Sequence, residues 1–235
     1  MKIGILQCDE MREIFLEQGF ADYPDMIEAG FQDINAPFEF RVYRCLDGEI
    51  PGSTAECDGF ITTGSRFSVL DEEPWMLELE AFLRKLVAEK VPFVGICFGH
   101  QMLAKALGGQ VENADAGWGI GVSFNRLDLR HPDLPEQAGT ELNLIVSHQD
   151  QVTRLPEQMK LLGGSDFCPN YFCAIGDHAL TIQGHPEFSR DFSDALMEFR
   201  RNIIDEAIID AGKRSLEARV DSRLTFEWMS NFFQS

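Results

Sequence analysis

The sequence predicts an α/β protein, an open, doubly wound, mostly parallel sheet finished by C-terminal helices, and three observations carry that prediction. Short apolar runs alternate with helix-spaced stretches from the first residues onward. The run Val91–Ile96 is apolar almost without a break, as expected of a parallel strand covered by helices on both faces. Strand, helix, strand in that order implies right-handed crossovers, and hence a sheet whose binding crevice lies beyond the carboxyl ends of its strands.

Taken in order, Lys2–Gln7 reads as the first strand, Phe38–Tyr43 as the second, and Gly59–Thr63 as a third that ends at Gly64-Ser65. Trp75–Lys90 carries Trp75, Leu79, Phe82 and Leu86 at helical spacing, with Pro74 suited to the first turn. Val91–Ile96 follows as a strand and Met102–Leu107 as the next helical run. The middle is rich in turn signals: Gly108-Gly109, Gly117-Trp118-Gly119-Ile120-Gly121 and His131-Pro132-Asp133-Leu134-Pro135. Short strands are expected at Ile120–Phe124, Leu142–Val146, Lys160–Gly163, Phe172–Ile175 and Ala179–Gln183. The tail reads as two helices. One carries the stripe Phe192, Leu196, Phe199 and Ile203 and ends at Gly212; the other carries Leu216, Val220, Leu224 and Trp228. With no linker or repeat, the expectation is one domain over residues 1–235, with 2–190 as its core and 191–235 as a helical extension packed on it.

A net charge of −19 disfavours a nucleic-acid partner, because a polyanion would be repelled instead of supplying phosphate contacts. No uncharged apolar run reaches the length of a membrane span, and Met1–Leu6 is too short for a signal peptide before Asp9 and Glu10 interrupt it. The six cysteines are scattered without a C-x-x-C pair, so they are expected as reduced thiols in a cytoplasmic protein, five of them buried small hydrophobes.

The sixth is Cys97. In Gly95-Ile96-Cys97-Phe98-Gly99-His100-Gln101 it stands on a strand-to-helix corner with glycine two residues away on each side. That is the spacing of a nucleophile elbow, where small neighbours permit a sharp, strained turn. A thiol at a helix N-terminus has its thiolate favoured by the helix's positive end, and thiolate is the reactive form. A lone cysteine would read as structural; the paired glycines and the apolar strand before it favour catalysis.

A nucleophile needs a base, and five histidines are candidates. His100 falls in the first turn after Cys97 and reads as structural. His131 and His178 fall in turns and read as solvated. His148 and His185 both follow strands and compete. His185 is preferred, because Pro186 biases it to extended backbone, and residues two apart on an extended chain point the same way. Glu187 can then hold His185 and stabilise its charged form. His185-Pro186-Glu187 also matches half of a zinc deaminase motif, but no cysteine pair follows, so neither a metal nor another cofactor is expected. Gly163-Gly164-Ser165-Asp166 reads as a turn, and no Walker or dinucleotide fingerprint is present.

Together, the Cys97 segment and Gln183-Gly184-His185-Pro186-Glu187 resemble the class I (triad) glutamine amidotransferases, whose flavodoxin-like fold the resemblance then implies. Ser147-His148-Gln149-Asp150-Gln151-Val152 and Thr62-Thr63-Gly64-Ser65 resemble segments of the GMP synthase-like branch. The resemblance spans roughly residues 2–190 and implies roles for particular residues. Cys97 would attack a glutamine side-chain amide to give a γ-glutamyl thioester, with His185 moving protons and Glu187 holding His185. The N–H groups of Phe98 and Gly64 would meet the oxyanion. Gln101 and the backbone around Gln149 and Asp150 would hold the glutamyl group, although a capped turn explains these last three about as well.

Members of that family usually deliver ammonia to a synthetase domain, and too few residues follow Glu187 for one. Two catalytic readings remain: a free-standing hydrolase of γ-glutamyl amide bonds, or a glutaminase subunit of a separate synthetase. The Gly-Ile-Cys-Phe-Gly-His-Gln pattern and helical tail resemble free-standing γ-glutamyl peptidase-like members, which favours the first. A third reading is a catalytically idle binding or regulatory module, against which the intact Cys97, His185 and Glu187 stand.

Overall fold

The computed structural model describes residues 1–115, 117–127 and 140–235; the expected turn at His131 lies outside them. In chain order the elements are β1 (Lys2–Gln7), α1 (Glu13–Leu16), α2 (Tyr23–Asp33), β2 (Glu39–Arg44), β3 (Gly59–Thr62), α3 (Pro74–Glu89), β4 (Phe93–Ile96) and α4 (Phe98–Ala106). Then come β5 (Gln110–Asn113), β6 (Gly119–Leu127), β7 (Glu141–His148), β8 (Asp150–Arg154), β9 (Lys160–Gly164), β10 (Phe172–Ile175) and β11 (Ala179–Ile182), followed by α5 (Arg190–Phe199), α6 (Glu206–Ser215) and α7 (Ser222–Gln234).

Nine strands form one sheet in the order β2-β1-β3-β4-β11-β10-β9-β6-β7. From β2 to β11 every pairing is parallel, and β11 lies directly beside β4 with Ile182 opposite Ile96. From β11 to β7 the pairings are antiparallel. The predicted doubly wound α/β class therefore holds, with its parallel strands at one end of a mixed sheet. Helices cover both faces. On one, Ile27 and Phe31 of α2 and Phe226, Trp228, Phe232 and Phe233 of α7 pack on Ile3, Ile5, Ile61, Val94 and Ile96. On the other, Met76, Leu79, Phe82, Leu83 and Leu86 of α3 and Met102 and Leu103 of α4 pack on Leu6, Phe60 and Phe93.

The helix boundaries have local causes. Asp22 caps α2 through the Tyr23 N–H at 2.8 Å, with Pro24 in the first turn, and α3 starts at Pro74 and stops where Lys90 turns left-handed at φ 55°. Ser189 caps α5 through Phe192 N–H at 3.0 Å, and Asp205 caps α6 through Ala207 N–H at 2.8 Å.

The tail departs from the two-helix expectation. Phe199 and Ile203 are 44% and 66% exposed, so the stripe begun by Phe192 and Leu196 does not continue. The Asp205 cap starts a new helix instead, and three tail helices result. Gly212 does not end a helix. It lies inside α6, where an added Cβ would come within 2.8 Å of Met197 Sδ and 3.0 Å of Ile120 Cγ1, so its smallness lets α6 sit close against α5 and β6. Leu216 and Val220 precede α7 instead of belonging to it. The turn-rich middle also holds a pair of strands that the sequence did not predict, β5 with β8, forming a separate two-stranded antiparallel sheet. Among the described residues no helix is long and apolar enough to cross a membrane.

Candidate active site

Three neighbouring parallel strands end side by side, and each delivers one part of the site. β3 runs into Thr63-Gly64, β4 into Cys97, and β11 into Gln183-Gly184-His185. Cys97 adopts φ 45° and ψ −95°, a conformation that costs about 1–3 kcal/mol for a side-chain-bearing residue. The surroundings hold it there. Its N–H donates to Ile182 O at 2.8 Å, and its carbonyl accepts from Gln101 N–H at 3.1 Å as the helix begins. The flanking glycines are needed for space. A Cβ at Gly95 would lie 2.9 Å from the Gly99 carbonyl, and one at Gly99 would overlap the Thr62 side chain. Phe98 opens α4, so its N–H is among the donors a helix leaves free in its first turn. All six cysteines are unpaired and buried. Cys97 is among them at 4% exposure, although the sequence counted only the other five as buried.

His185 is 3% exposed, stacks on Phe188 with ring centroids 3.9 Å apart, and places Nδ1 2.7 Å from Glu187 Oε1. Its backbone N–H donates to Ile145 O at 2.8 Å, which pins the segment to β7. Burial alone would discharge this ring. The Glu187 carboxylate and the Cys97 sulfur, by charge and by hydrogen bonding, outweigh that and raise its pKa to about 10. Gly64 lies against the same imidazole, where an added Cβ would fall 2.6 Å from His185 Cε1. Cys97, His185, Glu187, Gly64 and Phe98 thus meet in one place.

The other histidines are occupied differently. His148 directs Nδ1 at Asp150 O, 3.0 Å away, and burial lowers its pKa to about 4. His100 is fully buried against Thr181 Oγ1 at 2.8 Å, with its pKa lowered by burial to about 3. His178 lies in the turn between β10 and β11 beside Asp177.

Of the three residues expected near the glutamyl group, Gln101 reaches the site and its Nε2 donates to Asp150 O at 2.7 Å. The Asp150 carboxylate is taken up by Ser68 and Asn113, and Gln149 O accepts from Ala114 N–H at 2.8 Å. These contacts anchor the loop between β7 and β8, the capped-turn alternative raised by the sequence.

One residue was in a quoted motif without a role. Gln183 is fully buried, donates from Nε2 to Cys97 Sγ at 3.3 Å, and accepts from Gln101 Nε2 at 3.1 Å. Its position immediately after β11, two residues before His185, was the available signal. Asp9, beyond β1, is 1% exposed and paired with Arg66 at 3.3 Å; burial raises its pKa against the pull of that arginine. A cavity of about 1320 Å³ opens elsewhere, between β6, β9 and α6, and neither Cys97, His185 nor Glu187 lines it. Among the described residues no group of three His, Cys, Asp or Glu side chains is placed to hold a metal ion.

A mixed sheet with a cysteine on the turn after a central parallel strand, and a carboxylate-linked histidine after the adjacent one, defines an α/β scaffold of the amidotransferase type. Residues 67–203 match the sequence profile of the family described as glutamine amidotransferase class-I, and the chain belongs to that family. It is 29% identical over 209 residues to γ-glutamyl peptidase 2 of Arabidopsis thaliana, covering 86% of this chain and 84% of that protein. It is 32% identical over 165 residues to the glutamine-hydrolyzing GMP synthase of Porphyromonas gingivalis, covering 69% of this chain and 30% of that one. Its fold is similar to a crystal structure of a glutamine amidotransferase from Thermotoga maritima, with a TM-score of 0.76 at 21% identity over 99% of this chain and 98% of that one.

Proposed function

We propose that this protein is a free-standing hydrolase of γ-glutamyl amide bonds that works through a thioester on Cys97. The observation that carries this reading is the Cys97 elbow beside an imidazole held by Glu187 at 2.7 Å. Membership of the family supports hydrolysis of glutamine or γ-glutamyl compounds in general, and the likeness to a γ-glutamyl peptidase over most of both chains favours a partner-free enzyme.

In this mechanism the Cys97 sulfur attacks the γ-carbonyl carbon, and the carbonyl oxygen becomes an oxyanion met by the N–H groups of Phe98 and Gly64. A donor so placed contributes about 3 kcal/mol to the transition state. The charged His185 ring gives its proton to the departing amine, the C–N bond breaks, and a γ-glutamyl thioester remains. The now neutral His185 takes a proton from water, whose oxygen attacks the thioester. Glutamate leaves, and the proton returns to the Cys97–His185 pair. Glu187 keeps the ring oriented throughout, Gln183 steadies the sulfur, and Gln101 with the Gln149–Asp150 backbone borders the glutamyl group. We further propose one domain over residues 1–235, with the tail helices packed on its sheet, in a reducing cytoplasm where six unpaired cysteines persist.

The second reading, a glutaminase subunit feeding ammonia to a separate synthetase, is favoured by the partial match to GMP synthase. Purified protein incubated with glutamine or γ-glutamylglycine, without ATP or partner, separates the two. Glutamate released steadily from both supports the hydrolase. Activity on glutamine alone that appears only when a synthetase is added supports the subunit.

A further inference from the structure

The chemistry above leaves one half-buried cation without a task. Arg200 ends α5, where its Nη1 donates to Ser147 Oγ at 2.5 Å and its guanidinium carbon stands 4.9 Å from the centroid of the Trp118 ring. Among the described residues no carboxylate lies within ion-pair distance of it. Its neighbours are served differently. Arg201 pairs with Glu198 at 2.6 Å, and Arg190 donates to the Leu216 and Ala218 carbonyls at 2.7 and 2.9 Å. In a chain with 39 acidic side chains against 20 Lys and Arg, a sheltered guanidinium without an acid is an unusual placement.

Arg200 is also tied, through Ser147 of β7, to the strand that braces the site. Burial lowers its pKa, while Tyr23, the Cys97 sulfur and Asp9 are close enough for their charge to oppose that, and Arg12 adds to the lowering. Ser147, which orients it, stands on β7 two residues beyond Ile145, the residue bonded to His185. The guanidinium lies over the Trp118 ring, and one N–H is spent on Ser147. The remaining donors form a fork whose geometry matches a carboxylate.

We propose that Arg200, held by Ser147 and Trp118, anchors a subsite beside Cys97 that binds a carboxylate of the substrate. The proposal rests on the γ-glutamyl reading. Such a substrate carries a carboxylate in two places: the α-carboxylate of the glutamyl group, present in glutamine as well, and the terminal carboxylate of a leaving amino acid or peptide.

The test uses full-length protein with Cys97→Ala to prevent turnover, titrated calorimetrically with γ-glutamylglycine, γ-glutamylglycinamide and glutamine. Arg200→Gln in that background is expected to weaken γ-glutamylglycine by about thirtyfold, the scale of losing one partner of a sheltered charge pair. If only γ-glutamylglycine weakens, the subsite takes the leaving carboxylate; if all three weaken alike, it takes the α-carboxylate. Either result supports it. Arg201→Gln, a neighbouring surface charge, is expected to change none of the three. With Cys97 present, Arg200→Gln is expected to raise KM and leave kcat within about twofold, which a loosened fold would not do.

Should Arg200→Gln melt early, Arg200→Lys carries the test, because it keeps the charge, loses the fork and is expected to weaken binding by several-fold. Binding of all three compounds within twofold of the parent in the folded variant overturns the subsite while leaving the hydrolase intact. A parent that binds none of them, in a protein that turns none over, overturns both.

Discussion

The glycines flanking Cys97 serve separate contacts, Gly95 against the first turn of α4 and Gly99 against Thr62. Both were legible in the sequence because the need for space leaves its mark as residue type at a fixed interval. Gln183 was not, because its role exists only when the end of β11 is laid beside β4. Removing its donor with Gln183→Leu is expected to slow acylation by about 10- to 100-fold, the worth of a hydrogen bond to a charged group, with a smaller effect on KM. Single-turnover kinetics on γ-glutamylglycine measures this. The histidines set a pH dependence of stability. His100 and His148 are held neutral in the fold, with pKa values near 3 and 4, so the unfolded chain binds more protons as pH falls below about 6.5 and stability declines toward acid. His185 has the opposite sign: its raised pKa gives a contribution that is full below about 6.5 and lost as pH climbs toward 10. Thermal unfolding across pH is therefore expected to show Glu187→Gln at its greatest disadvantage near pH 6.5, and to show the gap closing toward pH 10. A gap constant with pH would contradict the charged His185.

At the scale of elements, the parallel strands were readable because burial on both faces leaves continuous apolar runs, and Lys2–Gln7 was placed to the residue. The β5–β8 pair was missed because its segments are short and largely polar, QVEN and DQVTR, and their pairing is a long-range event. The tail miscount has a similar cause. Helical spacing registers that Phe199 and Ile203 are apolar, but not that they face solvent, and the Asp205 cap then decides where α6 begins. α7 shows what an element adds beyond its own residues. The Phe226 ring sits so close over Gly30 of α2 that an added Cβ would overlap it, and Phe233 lies over Gly59 of β3. Phe226→Ala is expected to cost about 3–5 kcal/mol, read as a lowered denaturant midpoint, with kcat unchanged in the protein that remains folded. Gly99→Ala is expected to do more to activity than to stability. An overpacked core position costs about 1–3 kcal/mol, but here the displaced backbone is the elbow itself.

The whole molecule explains why chemistry from distant parts of the sequence converges. Strand order puts β4 between β3 and β11, so three carboxyl ends open into one crevice, as the fold class predicts. That class was legible from alternation alone, whereas the antiparallel strands that complete the sheet were read as separate short strands without an order. Their order matters, because β7 braces His185 through Ile145 and presents Ser147 to Arg200, tying the helical tail to the site. The central claim is that Cys97 carries the γ-glutamyl group as a thioester. Acid-quenching the enzyme during turnover of γ-glutamylglycine and mapping its peptides by mass spectrometry tests this most directly. The account predicts a glutamyl adduct on the peptide containing Cys97, absent from Cys97→Ala. Glutamate release with no adduct there, or with Cys97→Ala at the wild-type rate, would contradict it.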